Sequence, residues 1–220
     1  HKTNASGTIL LSPVKEEYLQ QIHALVPIIQ CCEYNEDMNL PFVSIDDYSA
    51  ALTATEYLIS CGKNKIALIN GPAIFKYAVE RQRGFTSALQ QADISILNNW
   101  IIQLPEINFE MAYASICRLL NEEIRPDAFF VVSDVFAAAV IRAAKRFHLK
   151  VPNDIMVVGF DNIPLSQMTT PSITTMSQPK FQIGFSASEM LIDSIEHPEI
   201  IQTPLLLDAE LVVRESTAVF

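Results

Sequence analysis

What constrains this chain most is an alternation. Short β-branched runs trade places with amphipathic stretches almost from end to end. The runs are Gly7–Leu11, Pro27–Cys31, Phe42–Ile45, Lys65–Ile69, Trp100–Leu104, Ala128–Val132, Ile155–Phe160 and Ile173–Met176, and most are apolar on consecutive rather than alternate residues. A strand with one wet face alternates, so consecutive apolar residues mark strands covered on both faces. That is the signature of a mainly parallel sheet flanked by helices.

The intervening stretches carry the helical period. Tyr48, Ala51, Leu52, Thr55 and Ile59 share a face that Cys61-Gly62 can end. Phe85, Ala88, Leu89 and Ala92 make a second face; Phe109, Ala112, Ile116, Leu119 and Leu120 make a third, with Asn108 as its N-cap. Ser133 or Asp134 can cap the Ala-rich stretch Val135–Phe147, and a helix opening at Pro179 turns Ile183, Ala187, Met190, Leu191 and Ile195 inward. The pattern predicts a doubly wound α/β architecture. Boundaries fall after Ile45-Asp46-Asp47 and around Gln178-Pro179, and short strands return at Leu205–Leu207 and Leu211–Arg214, as in two lobes that the chain crosses more than once.

Composition narrows the function. With 220 residues, half of them apolar and 18% charged, the chain is neither a disordered tail nor a coiled coil. A formal charge of −10 repels phosphate backbones and anionic membranes, so this segment alone is not expected to hold nucleic acid. Cys31, Cys32, Cys61 and Cys117 have no ligand or disulfide-framework spacing and read as cytosolic thiols. No apolar run reaches the roughly 18–20 residues needed to span a bilayer. The start, His1-Lys2-Thr3-Asn4, lacks an initiator Met and a signal-peptide stretch and reads as a cut inside a longer protein.

In open α/β sheets, ligands bind beyond the carboxyl ends of the strands. Those ends lead into Asn70-Gly71-Pro72 with Phe75, Tyr77 and Arg81, into Ile107 and Asn108, into Ser133-Asp134, into Asp161-Asn162, and into Gln178. One rim is thus offered an Arg, carboxylates, amides and two aromatics, which suits a small polar ligand with a flat apolar part. Each residue also has a plain structural role open to it. Gly71-Pro72 makes a turn, Ser133 and Asp134 cap a helix, and Phe75 and Tyr77 can cover the core. Asp161 could pair with Arg81 or share ligand hydroxyls with it. Nucleophile-elbow, P-loop and G-x-G-x-x-G signatures are absent, and His1, His23, His148 and His197 stand apart from the rim. A binding module without catalytic activity, metal or cofactor is expected.

In this order the motifs resemble the lactose/galactose repressor family. The resemblance rests on Asn70-Gly71-Pro72 followed by Arg81-Gln82-Arg83-Gly84-Phe85, on Ser133-Asp134, on Val151-Pro152-Asn153-Asp154, on Val158-Gly159-Phe160-Asp161-Asn162, and on Thr174 through Pro179 with Ile183-Gly184. Phe160-Asp161-Asn162-Ile163 through Leu165 and Gln167, then Gln178-Pro179, looks like the cytidine-responsive members. The resemblance implies a periplasmic-binding-protein-like (type I) effector-binding domain of a transcriptional repressor, with two α/β lobes of doubly wound parallel sheet joined by three crossovers and a small nucleoside such as cytidine in the cleft. By this transfer, the first lobe is 1–46 plus 179–203 and the second 47–178 plus 204–220. Arg81 and Asp161 form a polar clamp, while Phe75, Tyr77, Ile107, Asn108, Ser133, Asp134 and Gln178 line the cleft or hold the clamp. A ribose diol suits a carboxylate and a guanidinium fork, a pyrimidine face suits Phe75 or Tyr77, and an amide suits a base edge.

The resemblance further implies a cytoplasmic homodimer that pairs through Ala138, Ala139, Ile141, Arg142, Arg146 and the loop Leu165–Met168. It implies operator DNA bound only through a helix-turn-helix that nothing in this chain matches, and a second DNA-bound regulator such as the cyclic-AMP receptor protein. Gly7–Leu11 aligns with the family's third strand, so the first lobe is expected to be truncated at its N-terminus, with Gly7–Leu11 as an exposed edge or paired with a second copy. Two alternatives share the fold: a transport-type sugar or nucleoside binding protein, against which four unbridged cysteines argue, and a nucleoside-acting enzyme, for which no catalytic pair is visible.

Overall fold

The computed structural model describes residues 5–218; His1-Lys2-Thr3-Asn4, read above as a cut end, lies outside the described residues. The chain divides into two compact units, His1–Asp46 with Pro179–Asp208, and Asp47–Gln178 with Ala209–Phe220. Elements are numbered in chain order.

In the first unit, β1 (Thr8–Leu10), β2 (Ile28–Cys31), β3 (Phe42–Ile45) and β9 (Leu205–Leu207) form one parallel sheet in the order β1-β2-β3-β9. The pairing of Val43 with Leu205 and of Ile45 with Leu207 moves residues 204–208 from the second lobe, where the resemblance put them, to the first. Helix α1 (Glu16–His23) contributes Leu19 to a small core with Ile28 and Leu40, flanked by Leu10, Val14, Ile22 and Met38. Helix α7 (Lys180–Glu196) packs on β1, β2 and β3 and buries Ile183, Ala187 and Met190, one helical face at spacings of four and three. Ile195 is 40% exposed, a departure from its expected inward position. Strand β1 lies at the sheet's edge, as the sequence led us to expect, and all three of its residues are only half-buried.

The second unit holds β4 (Ile66–Asn70), β5 (Ile101–Gln103), β6 (Ala128–Val131), β7 (Met156–Phe160), β8 (Thr174–Ser177) and β10 (Glu210–Val212) in the order β10-β8-β7-β6-β4-β5, parallel except for β10. Every residue of β4 and β6 is buried, which accounts for the unbroken apolar run of β6 and of β4 as far as Ile69. Around the sheet run α2 (Asp47–Ser60), α3 (Lys76–Gln91), α4 (Phe109–Leu120), α5 (Asp134–Arg146) and the single turn α6 (Leu165–Met168). Trp100, expected to open a strand, instead ends a 3-10 turn (Asn98–Trp100) that buries its indole. Helices α2 and α3 meet at Gly84, where a Cβ would stand 2.3 Å from the Tyr48 carbonyl oxygen. The glycine of the Arg81–Phe85 motif is therefore a packing requirement.

Asn108 and Ser133 cap α4 and α5 as expected, accepting from the Met111 and Val135 amides at 3.1 and 3.3 Å. On α5, Ala139 is fully buried within its own chain, so it is unable to take part in the two-fold interface that the resemblance assigned it. Ala138 and Ile141 are half-buried, and Arg142 and Arg146 face outward beside Tyr113.

Candidate functional site

The order of the second sheet points to a candidate crevice. From β4 the chain passes outward to β5, then returns across β4 to β6 and continues to β7 and β8. The connections after β4 and β6 therefore leave in opposite directions, which opens a crevice at the carboxyl ends of these two strands. The second-unit residues singled out from the sequence follow these two strand ends and those of β5, β7 and β8.

Arg81 sits at that switch point. It lies in the second turn of α3, yet it is 5% exposed. Its Nε donates to Asp47 Oδ1 at 2.7 Å, and one terminal nitrogen donates to the Val132 carbonyl just beyond β6 at 3.0 Å. The guanidinium carbon lies 3.4 Å from the Phe160 ring centroid and 4.8 Å from that of Tyr77. A buried cation must be paired and hydrogen-bonded, and Asp47, the first residue of α2, supplies the partner. Asp47 was legible only as a domain boundary, since nothing in its sequence context says which carboxylate a buried arginine will reach.

Asp161 stands one strand away. It follows β7 with a φ of +94°, and Asn162 follows with +49°. Two successive non-glycine residues in the left-handed region are strained, and strain of this kind persists only where the surroundings over-determine it. Here they do. The Asp161 amide donates to the Met176 carbonyl at 2.9 Å, and the Ile163 amide donates to the carboxylate of Asp134 at 2.8 Å. Arg214 donates to the Asn162 side-chain oxygen at 2.8 Å and to the Ile173 carbonyl at 2.8 Å. The Asp161 carboxylate accepts from Gln178 Nε2 at 2.6 Å. Among the described residues no hydrogen bond or ion pair joins Asp161 to Arg81; each has its own partner.

The other expected site residues sort by location. Asp134 is fully buried and is an internal strut, taking the Thr175 hydroxyl at 2.7 Å in addition to the Ile163 amide. Gly159 leaves room for it, since a Cβ there would lie 2.4 Å from Asp134 Oδ1. Ser133 is likewise buried at its cap. Phe75 and Tyr77 stack with ring centroids 5.5 Å apart and an interplanar angle of 21°, beside Arg81. Asn108 spends its oxygen on the α4 cap and donates to Glu106 at 3.0 Å, and Ile107 beside it is 42% exposed. Arg81, Tyr77 and Phe75 thus form one group, and Asp161 and Gln178 a second on the neighbouring strand ends; Asp47 and Arg214 were missed. Among the described residues no three Asp, Glu, His or Cys side chains gather as a metal site, and no helix is long and apolar enough to cross a membrane.

Residues 55–217 match the model of the periplasmic binding protein-like domain. The chain belongs to this family. Within the periplasmic binding protein-like family, it is 34% identical over 199 residues to the HTH-type transcriptional repressor CytR of Escherichia coli (strain K12), a match covering 90% of this chain and 58% of that protein. It is 32% identical over 214 residues to the HTH-type transcriptional repressor PurR of Edwardsiella ictaluri (strain 93-146), covering 87% and 62%. The chain thus spans about three fifths of the length of these two relatives. A LacI family transcriptional regulator from Enterococcus faecium, solved with bound ribose, superposes with a TM-score of 0.85 at 26% identity, over 97% of this chain and 80% of that one. The architecture is that of the effector-binding domains of LacI-family regulators.

Proposed function

We propose that this chain is the effector-binding part of a transcriptional repressor and that its effector is a nucleoside. The observation that carries the reading is the buried Arg81, held by Asp47 and the Val132 carbonyl and pressed between Phe160 and Tyr77 at the switch point of a parallel sheet. A charge is placed there at considerable desolvation cost, and the remaining guanidinium N–H groups suit a sugar hydroxyl. Asp161, fixed by strained backbone and oriented by Gln178, accepts from the neighbouring hydroxyl of a ribose diol. Phe75 and Tyr77 supply a π-face for the base. The relative with bound ribose supports a pentose at such a site, and the likeness to CytR and PurR supports a repressor.

In this reading the parent protein is a cytoplasmic homodimer that reads operator DNA through a separate domain, and the effector alters that reading. The acidic charge of this segment fits a division of labour in which it does not touch DNA. Ala138, Ile141, Arg142 and Arg146 form the outward face of α5 that pairs across the two-fold axis. Ala138→Glu should turn a dimer seen by light scattering into a monomer that keeps the far-ultraviolet circular dichroism of the folded chain.

Thermal denaturation of the chain with cytidine, uridine, adenosine, ribose and glucose tests the effector. A ligand at a hundred times its dissociation constant stabilises the folded state by about 2.7 kcal/mol. A rise in melting temperature with a nucleoside that exceeds the rise with ribose is expected. A rise with glucose alone would overturn the nucleoside assignment.

A further inference from the structure

One feature of the first unit lies outside the residues assigned to the effector. Cys31 ends β2, and Cys32 follows it with a φ of +70°. The Glu33 amide donates back to the Cys31 carbonyl at 2.9 Å, which closes a three-residue turn centred on Cys32. The turn is pinned at both of its polar groups. The Cys32 amide donates to the Val43 carbonyl at 2.9 Å, and the Ser44 hydroxyl donates to the Cys32 carbonyl at 2.8 Å.

This geometry matters because consecutive residues of a strand point to opposite faces. Two adjacent cysteines in an extended chain hold their thiols apart. Here the left-handed turn swings the second thiol around beside the first, and the sulfurs are 3.9 Å apart in hydrogen-bonding contact. Cys31 is buried and Cys32 is exposed, so one thiol meets solvent while the other waits behind it. The hydrogen bond from Cys32 also draws the Cys31 thiol down to about 7, against the opposing effect of burial. At neutral pH the pair therefore holds a substantial thiolate fraction, the form that attacks disulfides.

We propose that Cys31 and Cys32 are a thiol–disulfide exchange site that a small-molecule disulfide of the glutathione class oxidises to a disulfide between adjacent residues. In the first step Cys32 hands its proton to the neighbouring Cys31 thiolate as its own sulfur attacks one sulfur of the small disulfide; a mixed disulfide forms, the small S–S bond breaks, and one thiolate leaves. In the second step Cys31 gives that proton up to solvent, and its thiolate attacks the Cys32 sulfur and expels the second small thiolate. Two protein thiols are oxidised, one small disulfide is reduced to two thiols, and the two protein protons pass through solvent to the leaving thiolates. The Cα atoms of adjacent residues stand about 3.8 Å apart across a trans peptide, below the usual range for bridged cysteines. The ring is consequently strained and readily reopened, as suits a reversible modification rather than a structural bond.

The test is incubation of the folded chain with oxidised glutathione, acid quenching, and cleavage after glutamate without reduction. Cutting after Glu17 and Glu33 releases Tyr18–Glu33, which carries Cys31 and Cys32 but neither Cys61 nor Cys117. The expected mass is that of the peptide less two hydrogens with no glutathione attached, restored by an excess of reduced glutathione. Cys31→Ser, or Cys31→Ala if the serine variant does not fold, should stop at a glutathione adduct on Cys32. A wild-type peptide that keeps the adduct without closing the ring would overturn the proposal. An unreacted peptide from a sample in which Cys61 or Cys117 is modified would do the same.

Discussion

The two units solve the same problem, a parallel sheet between helices, with opposite use of polar groups. In the second unit the sheet is six strands wide, and its rim holds a buried ion pair, a buried carboxylate strut and two left-handed residues tied down from several sides. In the first, a four-stranded sheet carries a small aliphatic core with α1, its buried polar residues are only Gln30, Glu33 and Ser44 among those described, and the strand at one edge is only half-buried. Apolar burial can do most of the work of holding a sheet. A rim that must present charge at fixed positions needs partners for every buried polar group, and those partners come from distant parts of the sequence.

The sharpest break in that contrast is Asp47→Ala. It strands Arg81 in a buried position, and removing one member of a buried ion pair costs roughly 3–5 kcal/mol. Urea unfolding should show a loss of that order, comparable with Ile29→Ala in the core of the first unit, for which truncation costs about 2–5 kcal/mol. A loss below about 1 kcal/mol for Asp47→Ala would place the ion pair among weak surface bridges and undo the comparison.

Next in size is Asp161→Asn. Its carboxylate is only partly buried and its loop is held by other residues, so folding should be preserved while effector affinity falls. Loss of a charge-assisted hydrogen bond is worth about 1.5–3 kcal/mol, or roughly ten- to a hundredfold. Calorimetry with the best nucleoside checks this, and an unchanged affinity removes Asp161 from the site.

Hydrogen exchange sharpens the comparison from the other side. Amides of Thr8–Leu10, on the edge, should exchange well before those of Ile66–Asn70 in the interior of the second sheet. Equal protection would mean that a second molecule covers the edge. The smallest expected effect lies at Glu215, whose carboxyl is held below its usual range by the Ser172 amide and hydroxyl at 2.8 and 3.0 Å. A depressed acid contributes stability above its unfolded pKa and loses it as pH falls through the folded one. Glu215→Gln should therefore lower stability slightly at neutral pH and leave it nearly unchanged at low pH, which flattens the acid side of the profile.

Much of this was readable in advance, for identifiable reasons. Strand β6, and β4 as far as Ile69, are apolar on both faces because both faces are covered, so run and strand coincide to within a residue. Asn108 and Ser133 announce their caps through side-chain chemistry that acts within three residues. Long-range pairing is a different matter. Arg81 reaches 34 positions back to Asp47 rather than across to Asp161, and Leu205–Leu207 joins β3 although β10, three residues later, joins β8. Ala139 shows the limit of reading a helix face. An alanine packed against its own sheet and an alanine facing another molecule look alike in sequence, and burial separates them.

The confinement of Arg81 has a thermodynamic consequence. A long side chain clasped at Nε, tethered at a terminal nitrogen and pressed between two rings has already given up its rotamer freedom, worth about 1.5–2 kcal/mol for arginine. That disorder was lost when the chain folded, not when a ligand arrives. A molecule docking on this guanidinium meets a surface that has little left to freeze, and the heat of the contact is not offset by ordering the arginine.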